Sequence, residues 1–327
     1  MSKNEKSAPT KDGAVKNSTV KDSAAKKSAG KTGLGWQGRI ILSFIHLVGL
    51  LPLTWARAAG SGIGRLVWWS NSRGPKVTMA NLRICYPDLS EPEIIALAKQ
   101  SLKETGKLAT EICILHNRPF PWLQERILKV HGETMFREKI ARGKGVILLA
   151  PHLGNWEVLS QCLPTYAPLT ALYQPPKQAY LESLVKSSRE KTGATLVPTN
   201  RRGLSQLLAS LRKGGITAVL PDQIPADGSG EFAPFFGESA YTMTLVHGFV
   251  RRVQCPLVTA FAKRVPGGYE VYFLEPPEAI YSEDVLTSVT ALNKAVEECI
   301  AHCPEQYQWE YKRFKNDENG KQKHYWF

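Results

Sequence analysis

The chain lacks the short motifs that mark many covalent and nucleotide-dependent enzymes. It has no Gly-x-Ser-x-Gly elbow, which excludes a serine nucleophile of the α/β-hydrolase kind. No Gly-x4-Gly-Lys-Ser/Thr loop is present to cradle a nucleoside triphosphate, and no His-Glu-x-x-His pair to hold a catalytic zinc. Cysteine is sparse: Cys85, Cys113, Cys162, Cys255, Cys299 and Cys303, with no Cys-x-x-Cys among them. A zinc site at Cys299, His302 and Cys303 would need further ligands that the spacing does not supply, so the six are read as reduced thiols of a cytosolic compartment. RNA-recognition, zinc-finger and homeodomain signatures are missing, so the excess of Lys and Arg (42) over Asp and Glu (29) does not point to nucleic acid. The net charge of +13 points instead to anionic lipid or an acidic protein.

Long apolar runs are also missing. A membrane-spanning helix needs about 20 apolar residues. The apolar stretch Ile40 to Trp55, 16 residues without Asp, Glu, Lys or Arg, is bracketed by Arg39 and Arg57 and interrupted by Pro52. A second apolar stretch, Ala58 to Trp69, carries Arg65 and ends in Trp68-Trp69, an interfacial pair. Residues 36–72 are read as a membrane anchor, either a short tilted span or helices lying in the interface. The alternative is a buried amphipathic helix. Gly60-Ser-Gly-Ile-Gly64 does not fit a nucleotide loop and is read as a helix-packing surface. Residues 1–35 hold Lys3, Lys6, Lys11, Lys16, Lys21, Lys26, Lys27 and Lys31 among Ser, Ala, Thr and Gly. That composition cannot bury a core and predicts a disordered basic tail, a tether to anionic headgroups or a tail without a specific role. No small-residue cleavage site closely follows the apolar segment, so it is not a secretory signal.

The chain is organised around Gly145-Val-Ile-Leu-Leu-Ala-Pro-His152-Leu-Gly-Asn155-Trp-Glu157. Val146 to Ala150 reads as a buried strand. Asn155 is an N-cap type, Glu157 falls in the first turn, and apolar residues follow. His152 therefore sits at the carboxyl end of a strand, where open α/β sheets bind ligands. On one straight helix His152 and Glu157 would lie about 140° apart. A strand-turn-helix corner can instead fold the carboxylate onto the imidazole, fixing its tautomer and leaving the other nitrogen as a general base. The bland alternative is a surface histidine beside a capping acid.

Around this stretch the pattern alternates. Lys76 to Asn117 is helical, with a Ser90-Glu-Pro-Glu93 capping box; Glu104 and Glu111 are read as a solvated face. Strands are expected at Val130, Leu169 to Tyr173, Ala194 to Val197, Ile216 to Leu220, Pro256 to Lys263 and Tyr269 to Leu274, the last as an edge. Helices are expected over Met135 to Ala141, Tyr180 to Lys191, Leu204 to Leu211 and Asp284 to His302. This predicts an α/β fold with a mostly parallel central sheet flanked by helices, spanning residues 73–315, with a tail over 316–327.

Pro-His152-Leu-Gly-Asn-Trp-Glu157 resembles the first block of the bacterial lipid A biosynthesis acyltransferases, within the His-x4-Asp/Glu glycerolipid acyltransferase superfamily. Further blocks follow in order: Asn81-Leu…Tyr-Pro87, Tyr173-Gln174-Pro-Pro-Lys177, Pro221-Asp222-Gln223, Pro234-Phe-Phe-Gly237, and Pro304-Glu-Gln-Tyr…Trp309…Arg313-Phe-Lys315. The family usually has Tyr-Arg-Pro in the second block, so Gln174 departs from it, and Lys177 or Arg189 would supply the positive charge. The resemblance implies a late acyltransferase of lipid A biosynthesis. It would move a fatty acyl chain from an acyl carrier protein thioester to a hydroxyl of a Kdo-bearing, anionic glycolipid, with no metal or other cofactor. His152 would be the general base oriented by Glu157, with backbone amides near Asn155 facing the oxyanion. Asn155, Tyr173, Gln174, Lys177, Arg189, Asp222 and Gln223 would bind substrate. Phe232, Phe235 and Phe236 would line an acyl groove or form loop core. Arg313 and Lys315 would meet phosphate or carrier protein. The place implied is the cytoplasmic face of the bacterial inner membrane. A glycerophospholipid or amino-lipid acceptor, and a non-catalytic membrane-surface protein on the same fold, are the rival readings.

Overall fold

The computed structural model describes residues 35–175 and 178–327. The basic stretch from Lys3 to Lys31, and Lys177, lie outside the described residues. The chain opens with helices α1 (Trp36–Leu50) and α2 (Leu53–Trp69), broken at Pro52. Pro52 has no N–H and its φ is fixed, so it ends one helix and caps the next. No helix among the described residues is long and apolar enough to cross a membrane. Helices α3 (Arg73–Cys85) and α4 (Glu91–Asn117) follow. The capping box starts α4 as expected: the Ser90 amide donates to the Glu93 carboxylate at 2.8 Å. α2 lies so close against α4 that a Cβ on Gly60 or Gly64 would collide with the carbonyls of Gly106 and Leu102. The glycine pattern is thus a packing surface.

The α/β unit then runs α5 (Phe120–Gln124), β1 (Ile127–His131), α6 (Glu133–Ala141), β2 (Val146–Leu149), α7 (Trp156–Cys162), β3 (Leu169–Tyr173), α8 (Ala179–Glu190), β4 (Thr195–Pro198), α9 (Arg201–Arg212) and β5 (Ile216–Val219). A hairpin, β6 (Gly230–Phe235) and β7 (Glu238–Met243), precedes α10 (Leu245–Val253), β8 (Leu257–Val265), β9 (Gly268–Leu274) and α11 (Val285–Ala301). The sheet order is β1-β9-β8-β2-β5-β3-β4. The last five strands of that order are parallel. β9 turns back antiparallel to β8, and β1 pairs parallel to β9. The expected edge strand Tyr269 to Leu274 is therefore internal. β1, from far earlier in the chain, covers its outer side.

β2 lies at the centre and all four of its side chains are buried. Val146 and Leu148 pack under Phe136, Val158 and Leu159 on one face. Ile147 and Leu149 pack under Leu207, Phe249 and Leu292 on the other. Each such side chain contributes about 1.5–3 kcal/mol, so this strand is a rigid base for whatever follows it. A third cluster gathers α3, α11 and the C-terminal segment around Trp309 and Phe314. Phe235 and Phe236 belong to it, so they form core and not an acyl groove.

Candidate active site

Ala150, Pro151 and His152 leave the carboxyl end of β2, and the chain reverses into α7. Gly154 makes the turn, with φ +61°, a conformation glycine adopts readily. A Cβ there would strike the Ala262 carbonyl oxygen. Three backbone bonds fix the corner. The Gly154 amide donates to Gln306 O (3.0 Å), the Asn155 amide to Ala262 O (2.8 Å), and the Gln308 amide to His152 O (3.0 Å). The Pro304-Glu-Gln-Tyr segment is therefore a brace for the turn.

The carboxylate on His152 is Asp222, not Glu157. His152 Nδ1 lies 2.9 Å from Asp222 Oδ1, and the His152 amide donates to Oδ2 at 2.9 Å. A carboxylate only accepts, so Nδ1 carries a ring proton, and in the neutral ring the lone pair is on Nε2. The Gln223 side-chain amide nitrogen stands 3.3 Å from that Nε2, and the Trp156 ring packs edge-on at 4.9 Å. The geometry follows from the sheet. β2 and β5 are parallel neighbours with Leu149 opposite Val219. His152 and Asp222 lie three residues beyond those partners, each just after a proline. Burial pushes the Asp222 carboxyl up, but the charge of the His152 ring and the bonds from its ring and amide outweigh this and hold it below the ordinary range. Burial first, then the charge of Asp222, raise the Tyr307 phenol far above the usual value.

Glu157 is buried and paired with Arg189, whose Nε lies 3.1 Å from Oε2 while Nη2 bonds Oε1. This forked pair fixes the guanidinium. Asn155 is fully committed. Its Oδ1 accepts the Glu157 amide at 3.2 Å and its Nδ2 donates to Glu111 at 2.9 Å. The amides of Leu153, Gly154, Asn155 and Glu157 are likewise used internally, so none of these four is available to an oxyanion. Tyr173 is buried at the end of β3, and no described residue hydrogen-bonds its hydroxyl. Gln174 is exposed beside it and does not line the cavity described next. Arg313 is buried and donates to Tyr241 O and Thr242, so it is not a surface contact; Lys315 is exposed.

His152, Trp156, Glu157 and Arg189 line a cavity of about 210 Å³, walled by Leu159, Leu163, Leu169, Leu172, Leu196 and Leu220. A larger cleft of about 470 Å³, bordered by Lys144 and Pro256, opens at the amino ends of β2 and β8 and holds no histidine. The carboxyl end is the place for chemistry in such sheets. Another histidine–carboxylate pair, His131 with Glu270 at 3.0 Å, joins β1 to β9 and lines neither space.

A histidine oriented by a buried acid beside a largely apolar cavity defines a class of enzyme that activates a hydroxyl near an aliphatic group. Residues 26–316 match the bacterial lipid A biosynthesis acyltransferase family, and the chain belongs to it. It is an O-acyltransferase. It is 27% identical to the lipid A biosynthesis lauroyltransferase of Escherichia coli K12 over 293 residues, 88% of this chain and 93% of that one. It is 25% identical to the palmitoleoyltransferase of the same organism, over 86% and 91% of the two chains. A Haemophilus influenzae lipid A biosynthesis acyltransferase is 23% identical, over 87% and 88%.

Proposed function

We propose that this enzyme transfers a fatty acyl chain from an acyl carrier protein thioester to a hydroxyl of a Kdo-bearing lipid A precursor. The observation that carries the reading is His152, with Nδ1 held by Asp222 and the ring bordering the apolar cavity. Nε2 takes the proton of the acceptor hydroxyl, and the alkoxide oxygen attacks the thioester carbonyl. As the tetrahedral intermediate collapses, the C–O ester bond remains and the C–S bond breaks. The thiolate takes the proton back from His152. Asp222 fixes the tautomer and balances the imidazolium. Glu157 serves one step removed: it holds Arg189, the one arginine or lysine among the described residues lining the cavity, where a cation can stabilise the oxyanion. Gln223 faces the reacting nitrogen.

At about 210 Å³ the cavity is smaller than the roughly 300–1,000 Å³ of pockets that take whole ligands. It suits an acyl chain, with the phosphorylated sugars outside. Trp36, Phe44, Leu47, Leu50, Trp55, Leu66 and Trp69 are all exposed on α1 and α2. Such a face fits a helix pair lying in the membrane interface, on the cytoplasmic side of the inner membrane where the acyl carrier protein is available. The net charge of +13 suits both an anionic glycolipid and an acidic carrier.

The test is mass spectrometry of the precursor in detergent, mixed with acyl carrier protein thioesters of several chain lengths. The expected result is one added acyl mass with the wild type and none with His152→Ala. No added mass from folded wild type with intact thioesters would end the lipid A reading.

A further inference from the structure

The catalytic corner is tied to helix α2 through one buried carboxylate. Glu111 sits in the C-terminal half of α4 with no exposed surface. Its Oε1 accepts from Arg57 Nε, on α2, at 2.6 Å. Its Oε2 accepts from Asn155 Nδ2 at 2.9 Å and lies 3.3 Å from Arg264 Nε, on β8. Each partner reaches further. Arg57 also donates to Val265 O (2.6 Å) and Gly268 O (2.9 Å), clasping the β8–β9 turn. Arg264 donates to Gly154 O and to Glu104 O, both at 3.2 Å. Asn155 caps α7 by accepting the Glu157 amide, and Glu157 holds Arg189 in the cavity wall.

A lone buried carboxylate is costly, and this one is surrounded by two guanidiniums and an amide, all fixed by other bonds. Core packing alone needs no such arrangement; an apolar side chain would fill the space. The network meets the catalytic corner at two points, Gly154 O and Asn155 Nδ2. The first belongs to the Gly154–Asn155 peptide that carries the chain from His152 into α7, and the second to the side chain that follows it.

We propose that Glu111 is a positioning residue for catalysis. It sets the Gly154–Glu157 corner through Asn155, and Arg57 makes that setting depend on the docking of α2. The inference rests on the proposed reaction for its assay.

The test exchanges the two halves of the Glu111–Asn155 bond. Asn155→Asp alone places two carboxylates face to face. Glu111→Gln alone removes the charge that both arginines address. Together, Asn155→Asp with Glu111→Gln restores a bond of reversed polarity, keeps the net charge, and leaves an oxygen to cap the Glu157 amide. Turnover of the lipid A precursor and the folded fraction are measured for all four proteins. Each single variant is expected to lose about tenfold or more in kcat per folded enzyme with KM within about twofold. The double variant is expected to return to within about threefold of the wild type. A merely structural role would lower the folded fraction and leave kcat per folded molecule unchanged; that result, or a double variant no better than the product of the singles, overturns the proposal. Arg57→Gln, with its side chain 13% exposed, keeps the question answerable if the Glu111 variants do not fold. It is expected to lower kcat and not KM, and an unchanged kcat refutes the link to α2. Absence of wild-type turnover would count against the reaction itself, whereas wild-type turnover with unaffected variants counts against Glu111 alone.

Discussion

Asp222→Asn is the most informative single change, because the corner contains two carboxylates and only one touches the imidazole. Asparagine keeps the size of the side chain but loses the charge, and it can present an NH2 where Nδ1–H and the His152 amide both need an acceptor. Each of those 2.9 Å bonds ends on a charged group. A bond of that kind contributes about 1.5–3 kcal/mol. Losing one in the transition state costs about 10- to 150-fold, at 1.36 kcal/mol per decade. If asparagine also stabilises the wrong tautomer, the loss grows toward the roughly 10⁴ of the equivalent change in a serine protease triad. The expected fall in kcat is therefore about 10- to 10⁴-fold, with little change in KM. Ionisation does not complicate the measurement. The folded Asp222 carboxyl lies below its ordinary value, so the stability it contributes is present above about pH 4 and is lost as pH falls through the lower folded value. Asp222 is therefore ionised throughout assays near neutrality. The companion is Glu157→Gln, which leaves the His152–Asp222 pair intact and loosens Arg189. It is expected to lose less than Asp222→Asn. Steady-state transfer to the lipid A precursor measures both. Wild-type kcat in Asp222→Asn alongside a collapse in Glu157→Gln would refute the assignment and restore the direct Glu157–His152 pairing.

Three further outcomes follow from particular contacts. Gly154→Ala forces a positive φ on alanine and a collision with the Ala262 carbonyl; it should cost about 1–3 kcal/mol or more, lower Tm in a thermal melt by several degrees, and abolish turnover. Ala171 lines the cavity, so Ala171→Leu should shorten the preferred acyl chain by competition among thioesters, read by mass spectrometry. Glu310 is raised by burial against a bond from Thr105, and no described residue hydrogen-bonds its Oε2. Its protonated form favours the fold, so stability is fully present below the unfolded value near pH 4.3 and is lost as pH rises through the folded one. Glu310→Gln should therefore raise Tm near pH 8 and leave it unchanged near pH 4.

The local chemistry of this fold could be read from the chain, and its long-range pairings could not. The buried strand at Val146, the cap at Asn155, the box at Ser90 and the packing glycines of α2 each follow from a few neighbouring residues. Asp222 was visible at a strand end but not as the partner of His152, because that contact depends on β5 lying beside β2. The repeated pattern, Leu-Ala-Pro-His152 and Val-Leu-Pro-Asp222, held the signal, for two parallel strands that end alike bring their next residues together. Glu111 was misread for the same reason. Helical spacing shows which face of α4 a residue occupies, but not that α2, β8 and the catalytic corner all close over that face. Arg57 and Arg264 were the clue, since each interrupts or ends an apolar segment where a cation needs a buried partner. The β6–β7 hairpin escaped because its turn, Phe236-Gly237, takes two positive φ values without an Asn-Gly signature. Phe236 holds that conformation under the ring of Trp309, from the C-terminal segment, with its amide bonded to Glu297 of α11. Tertiary contact, not local preference, sets the turn. The same C-terminal segment braces the catalytic corner, so the end of the chain completes both the hairpin and the site.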